Sequence, residues 1–121
     1  IEADVRRSYA RITSAPCVIV VCLTMEDMDV YPDARRAEAE HLMAVQGVAL
    51  AIQNLLLASA AEGLGACWMC APLFCSDTVG EALGLPAAWQ AQGLITLGYP
   101  ASRGKEAARK PLDGLFVWKT A

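Results

Sequence analysis

Residues 42–70 are LMAVQGVALAIQNLLLASAAEGLGACWMC, a stretch long and apolar enough to be either a membrane span or the central helix of a folded domain. Leu42 to Ala61 is the longest apolar run in the chain, close to the ~20 residues that a membrane-crossing helix needs. Gln46, Gln53 and Asn54 interrupt it, much of the rest is alanine, and no Lys or Arg flanks it closely. It reads as a helix of a water-soluble protein, from about Ala37 to Glu62. Apolar residues occupy nearly every side, which predicts burial all round. Gln46 and Gln53 are seven apart and share one face. Gly63 and Gly65 end the helix, and ACWMC, residues 66–70, forms a short strand.

Upstream, CVIVVCLT (residues 17–24) is β-branched and apolar almost throughout, the pattern of a strand buried on both faces. Glu2 to Ile12 is polar and helix-compatible, and Ser14-Ala15-Pro16 breaks it. MEDMDVYPDARR is a surface loop. Downstream, Ser76 serves as the N-cap of a short helix through Leu83, with Asp77 favouring the helix dipole. Gly84 and Pro86 stop it. GLITLGY (93–99) is another buried strand, Ala101 to Ala108 a polar loop, and RKPLDGLFVWK (109–119) an extended tail whose apolar end must dock, for example on a partner subunit. Helices and strands alternate over short connections, an α+β chain in which residues 1–121 form a single domain.

The chain has 121 residues, of which 55% are hydrophobic and 19% charged. That is more apolar sequence than a lone small domain buries, so a subunit interface is expected. The net charge is −3, the pI about 5, and there is no basic run. A dedicated nucleic-acid surface is therefore not expected. The chain begins at Ile1 without a basic-then-apolar leader.

Cys67, Cys70 and Cys75 are spaced C-x2-C-x4-C. A zinc site needs about four ligands, and His41 is the sole histidine that could join them. In a strand, however, residues three apart point to opposite faces. This counts against a metal site and against a Cys67–Cys70 redox pair, and iron–sulfur ligation wants four cysteines. Five cysteines cannot all pair within one chain, so reduced thiols in a cytoplasmic protein are expected. His41 reads as a surface or capping residue. No G-x-S-x-G, G-x-G-x-x-G or phosphate-loop motif is present, and Arg6-Arg7-Ser8 reads as a solvated basic face. Two classes fit a chain without a visible catalytic set. Either a bound organic cofactor does the chemistry, or the domain is a binding or structural module.

EHLMAVQGVALAIQNLLLASAAEGLGACWMCAPLF, then LGLPAAWQAQGLITLGYPA, then RKPLDGLFVW, resembles the flavin-dependent nitroreductase family, from APCVIVVCL onward. Within it, YPDARRAEAEHLMAV and CWMCAPLFCSDTV look most like the reductase-like C-terminal domain of deazaflavin-coenzyme (F-420) γ-glutamyl ligases. The resemblance implies a three-layer α+β fold with a mixed sheet and a long buried central helix. It implies a homodimer holding FMN at the subunit interface. The flavin passes hydride equivalents to a nitro, quinone or other conjugated acceptor, which in the ligase branch is a deazaflavin-coenzyme precursor. NADH, NADPH or a reduced deazaflavin is the electron donor.

The implied flavin wall is Ala71-Pro72-Leu73-Phe74, with a backbone N–H near the flavin N5, and Arg109 or Lys110 approaches the FMN phosphate. Met43 and Gln46 line the ring pocket from the long helix. Hydrogen bonding across a dimer is the alternative for Gln46 and Gln53. The family's Arg-Arg-Ser-x-Arg segment, which grips the phosphate, is expected to be missing. Arg6-Arg7-Ser8 imitates it but lies too close to APCVIVV. A flavin-free ligand-binding or structural dimer on the same fold is the rival reading.

Overall fold

The elements follow one another as α1 (Glu2–Ser14), β1 (Cys17–Leu23), α2 (Ala34–Ala61), β2 (Gly65–Met69), a 3₁₀ turn (Ala71–Phe74), α3 (Ser76–Leu83) and β3 (Gln90–Gly98) in the computed structural model, which describes residues 1–120. A second 3₁₀ turn, Leu112–Gly114, interrupts the exposed C-terminal tail.

Asp33 fixes the start of α2. Its carboxylate accepts the N–H of Arg36 at 3.0 Å, satisfying one orphan donor of the first turn. The helix therefore begins three residues earlier than the apolar pattern suggests. At the other end, Leu64 N–H donates to the Ser59 carbonyl and Gly63 N–H to that of Ala60. Gly63 adopts φ 74°, the left-handed turn that closes a helix this way. Gly65 lies beyond the stop and opens β2.

The sheet order is β1-β3-β2. Both pairings are antiparallel, which corrects the expected mixed sheet. The last strand returns between the first two and runs against both. Residues paired across the ladder share a face. Ile19, Ile95 and Trp68 therefore form one row, and Ile95 is 0% exposed. Strand β1 is an edge strand with Cys17 and Val18 exposed, so it is not buried on both faces as its composition suggests.

α2 packs against all three strands, but with one face only. Ile52 (1% exposed) and Ser59 are its buried residues. Met43, Leu50 and Leu57, also spaced by seven, are all more than half exposed. Leu50 stands two residues from Ile52, about 200° around the helix. The expected all-round burial is thus corrected within this chain: the sheet covers one apolar stripe and leaves the opposite one open. By length and composition alone α2 is apolar enough to cross a membrane.

Other expectations shift for local reasons. Ser76 opens α3 but does not cap it; Cys75 holds the cap position, without a side-chain bond. β3 starts at Gln90, because polar Gln90 pairs with Leu23. α1 contributes no buried residue, and the tail from Ala101 to Thr120 is exposed throughout.

Candidate functional site

The turn after β2 is the centre of the expected site. Strand β2 ends at Met69, where Met69 pairs with Leu94. The Cys70 carbonyl then accepts Leu73 N–H at 3.0 Å, and that of Pro72 accepts Cys75 N–H at 3.3 Å. These bonds wind Ala71–Phe74 into the 3₁₀ turn. Pro72 is buried and anchors it. Leu73 is 51% exposed and Phe74 89%, so the turn presents an apolar ledge. The first N–H groups of such a turn have no carbonyl partner within it. Pro72 has no N–H, so the Ala71 amide is the donor the turn itself leaves available. An apolar surface with one placed donor is what a flat conjugated ring requires.

The remaining expected residues are not gathered at this ledge. Met43 lines a cavity of about 200 Å³ with Tyr31, Arg36, Ala39 and Glu40. The Arg36 guanidinium stacks over the Tyr31 ring at 5.2 Å and pairs with Asp33. Hydrogen bonds from the Arg36 side chain, and then from its backbone N–H, hold the Asp33 carboxyl below its usual range. Gln46 is exposed one turn further along α2. Arg109 and Lys110 sit on the exposed tail. Two wider clefts, one at the end of the sheet beside Pro16, Cys67 and Tyr99 and one between α3 and Trp89, include none of the expected residues.

The cysteines are separated by structure. Cys67 lies in β2, Cys70 precedes the 3₁₀ turn and Cys75 follows it. Cys70 is outside the strand, so strand alternation does not relate it to Cys67 as the sequence suggests. All five thiols are free, and burial pushes the Cys22 thiol up. Among the described residues no group of three or more His, Cys, Asp or Glu is arranged to hold a metal ion. His41 is exposed on α2.

Sequence reading missed Gly93. A Cβ there would lie 2.5 Å from Trp68 Nε1. The available signal was an isolated glycine inside an apolar strand, which marks close approach of another group.

Residues 2–99 match the sequence profile of the Nitroreductase family. The chain belongs to the nitroreductase family. Among solved structures, a nitroreductase-like protein from Desulfovibrio desulfuricans in complex with FMN is similar to it at 31% identity and a TM-score of 0.71, over 90% of this chain and 58% of that one. An oxidoreductase-like protein from Bacteroides fragilis NCTC 9343 matches at 20% identity and TM-score 0.77, over 98% of this chain and 51% of that one. The NfrA1 nitroreductase of B. subtilis matches at 21% and 0.73, over 92% and 48%. The latter two show a shared fold. The chain thus spans about half the length of these nitroreductase-type structures, and α2 is part of the shared fold.

Proposed function

We propose that this chain is the core of an FMN-dependent oxidoreductase of the nitroreductase type, acting as a cytoplasmic homodimer on a small conjugated acceptor. The observation that carries this reading is the FMN complex of the D. desulfuricans protein, 31% identical over 90% of the chain. The ledge of Leu73 and Phe74 with the Ala71 amide supports it. In this reading the ledge shields one side of the isoalloxazine ring from water, and the Ala71 N–H donates to its edge. Met43 and Gln46 on α2, which one chain does not bring to the ledge, are assigned to the ring by the family resemblance alone. Arg109 or Lys110 neutralises the phosphate. FMN supplies the hydride acceptor and donor that none of the chain's side chains offers.

The exposed surface supports the dimer. It amounts to 9893 Å² for 12.9 kDa, whereas a folded monomer of this mass exposes about 6,300 Å². The Met43/Leu50/Leu57 stripe, with Gln46 and Gln53 exposed beside it, has the spacing of a helix-pairing seam. The finer reading makes a deazaflavin-coenzyme precursor the acceptor, with NADH, NADPH or a reduced deazaflavin as donor. Its support is the likeness of YPDARRAEAEHLMAV and CWMCAPLFCSDTV to the ligase-fused branch. No nucleic acid or membrane enters this reading.

Steady-state assays of the FMN-loaded protein test it, with NADH or NADPH as donor and a quinone or nitroaromatic as acceptor. Donor-dependent acceptor reduction supports the proposal. Bound flavin that no donor reduces would count against it. A second reading, a flavin-free binding or structural dimer, is favoured by Arg109 and Lys110 lying on an exposed tail.

A further inference from the structure

Trp68 fills the space that a side chain at residue 93 would occupy. A Cβ on Gly93 would stand 2.5 Å from Trp68 Nε1, 3.1 Å from its Cδ1 and 3.4 Å from Ile52 Cδ1. Contacts below about 3 Å are repulsive for any carbon. The ring cannot yield as a flexible chain end would: it is rigid, and Ile52, 1% exposed, borders the same space from α2. Trp68 Nε1–H is itself buried and has no hydrogen-bond acceptor. Leaving such a donor unpaired is unfavourable, so packing and not hydrogen bonding keeps the indole there. Sheet and helix therefore hold it in one place, and Gly93 is what makes that place available.

What Trp68 controls lies just beyond it. It stands opposite Ile95, and Met69 opposite Leu94 forms the last rung of the ladder. The next residue, Cys70, supplies the carbonyl that starts the Ala71–Phe74 turn. That turn itself packs against β3, the strand that carries Gly93. A displaced indole tilts the end of β2 and with it the ledge.

We infer that Gly93 and Trp68 are a positioning pair that sets the Ala71–Phe74 ledge, and through it the grip on the flavin ring. The flavin part rests on the proposed function; the placement of the turn does not. The test compares wild type, Gly93→Ala, Trp68→Val and the double variant. Valine has no atom beyond Cγ, so it removes both atoms, Cδ1 and Nε1, that a Cβ at residue 93 would meet. Amide hydrogen exchange at Leu73 and Cys75, whose N–H groups close the turn, is measured without flavin. FMN affinity and the flavin visible spectrum are measured separately.

In Gly93→Ala, exchange at Leu73 and Cys75 accelerates about tenfold relative to amides of β1, as local opening becomes easier. FMN binding weakens about tenfold, equivalent to about 1.4 kcal/mol, and the flavin bands shift. The double variant matches Trp68→Val in both quantities, because without the indole the added Cβ meets no clash. Unchanged exchange at Leu73 and Cys75 in folded Gly93→Ala, or a double variant no better than Gly93→Ala, would overturn the pair's role. If wild type binds no FMN, the flavin reading fails while the exchange data still decide the positioning role.

Discussion

Gly98, the last residue of β3, lies directly against Pro16, the residue before β1: a Cβ on Gly98 would stand 2.8 Å from the proline Cδ and 3.0 Å from its Cγ. The contact pins the first rung of the β1–β3 ladder, Cys17 opposite Leu97. A proline ring has little freedom to retreat, so Gly98→Ala overpacks the junction at about 1–3 kcal/mol. Urea unfolding followed by circular dichroism shows this as a lower midpoint with an unchanged slope. Stability equal to wild type would mean that the strands do not meet this closely.

Asp33 links capping to pH. Arg36 holds the Asp33 carboxyl below its usual range in the folded chain. A depressed folded value stabilises the fold fully above the ordinary carboxylate pKa. That contribution is lost as pH falls through the folded value. Asp33→Ala therefore lowers the melting temperature modestly at pH 7, and the gap to wild type narrows as the solution is acidified, to what a neutral capping oxygen contributes. A gap that stays constant to low pH would contradict the role of the charge. Asp33→Asn retains the capping oxygen and falls between the two at neutral pH.

The two faces of α2 respond oppositely to mutation. Ile52→Ala removes a buried side chain from the contact with the sheet and costs about 2–5 kcal/mol. Leu50 is 67% exposed, so Leu50→Glu leaves the fold of each chain nearly unchanged. It places a charge in the proposed seam and converts a dimer to monomer in analytical ultracentrifugation. A folded Leu50→Glu protein that still sediments as a dimer would move the interface elsewhere.

Arg109 is the sharpest test of the phosphate assignment. Loss of a charge-assisted hydrogen bond to phosphate costs about 1.5–3 kcal/mol, so Arg109→Ala weakens FMN binding at least about tenfold. Riboflavin, which lacks the phosphate, binds the variant and wild type equally. An equal loss for riboflavin would show that Arg109 acts on the ring side or on folding.

Much of this architecture was legible in the chain because local chemistry dictates it. Gly63 marks the end of α2, since only a left-handed residue closes the turn there. The β-branched run after Pro16 marks β1. The one-sided burial of α2 was not legible, because a helix apolar all round carries no sign of which stripe meets its own sheet. The start of β3 at Gln90 was hidden by its glutamines: Gln90 pairs with Leu23 through its backbone, and Gln92 falls at the register shift opposite Val21 and Cys22. The antiparallel order reflects where β3 inserts, a tertiary choice with no local signature. At the candidate site the Ala71–Phe74 turn was singled out by the family resemblance alone, because its residue types carry no signal of ligand binding by themselves. The Gly93–Trp68 contact joins residues far apart in sequence and becomes visible once the strands are paired.

Retention of FMN by these residues is what the proposed function requires first. The most direct measurement is the visible absorption spectrum of the protein after incubation with FMN and desalting, alongside its sedimentation behaviour. Retained flavin bands, altered from those of free FMN, are expected in a dimeric protein. A folded dimer that emerges from desalting without flavin would contradict the proposed function.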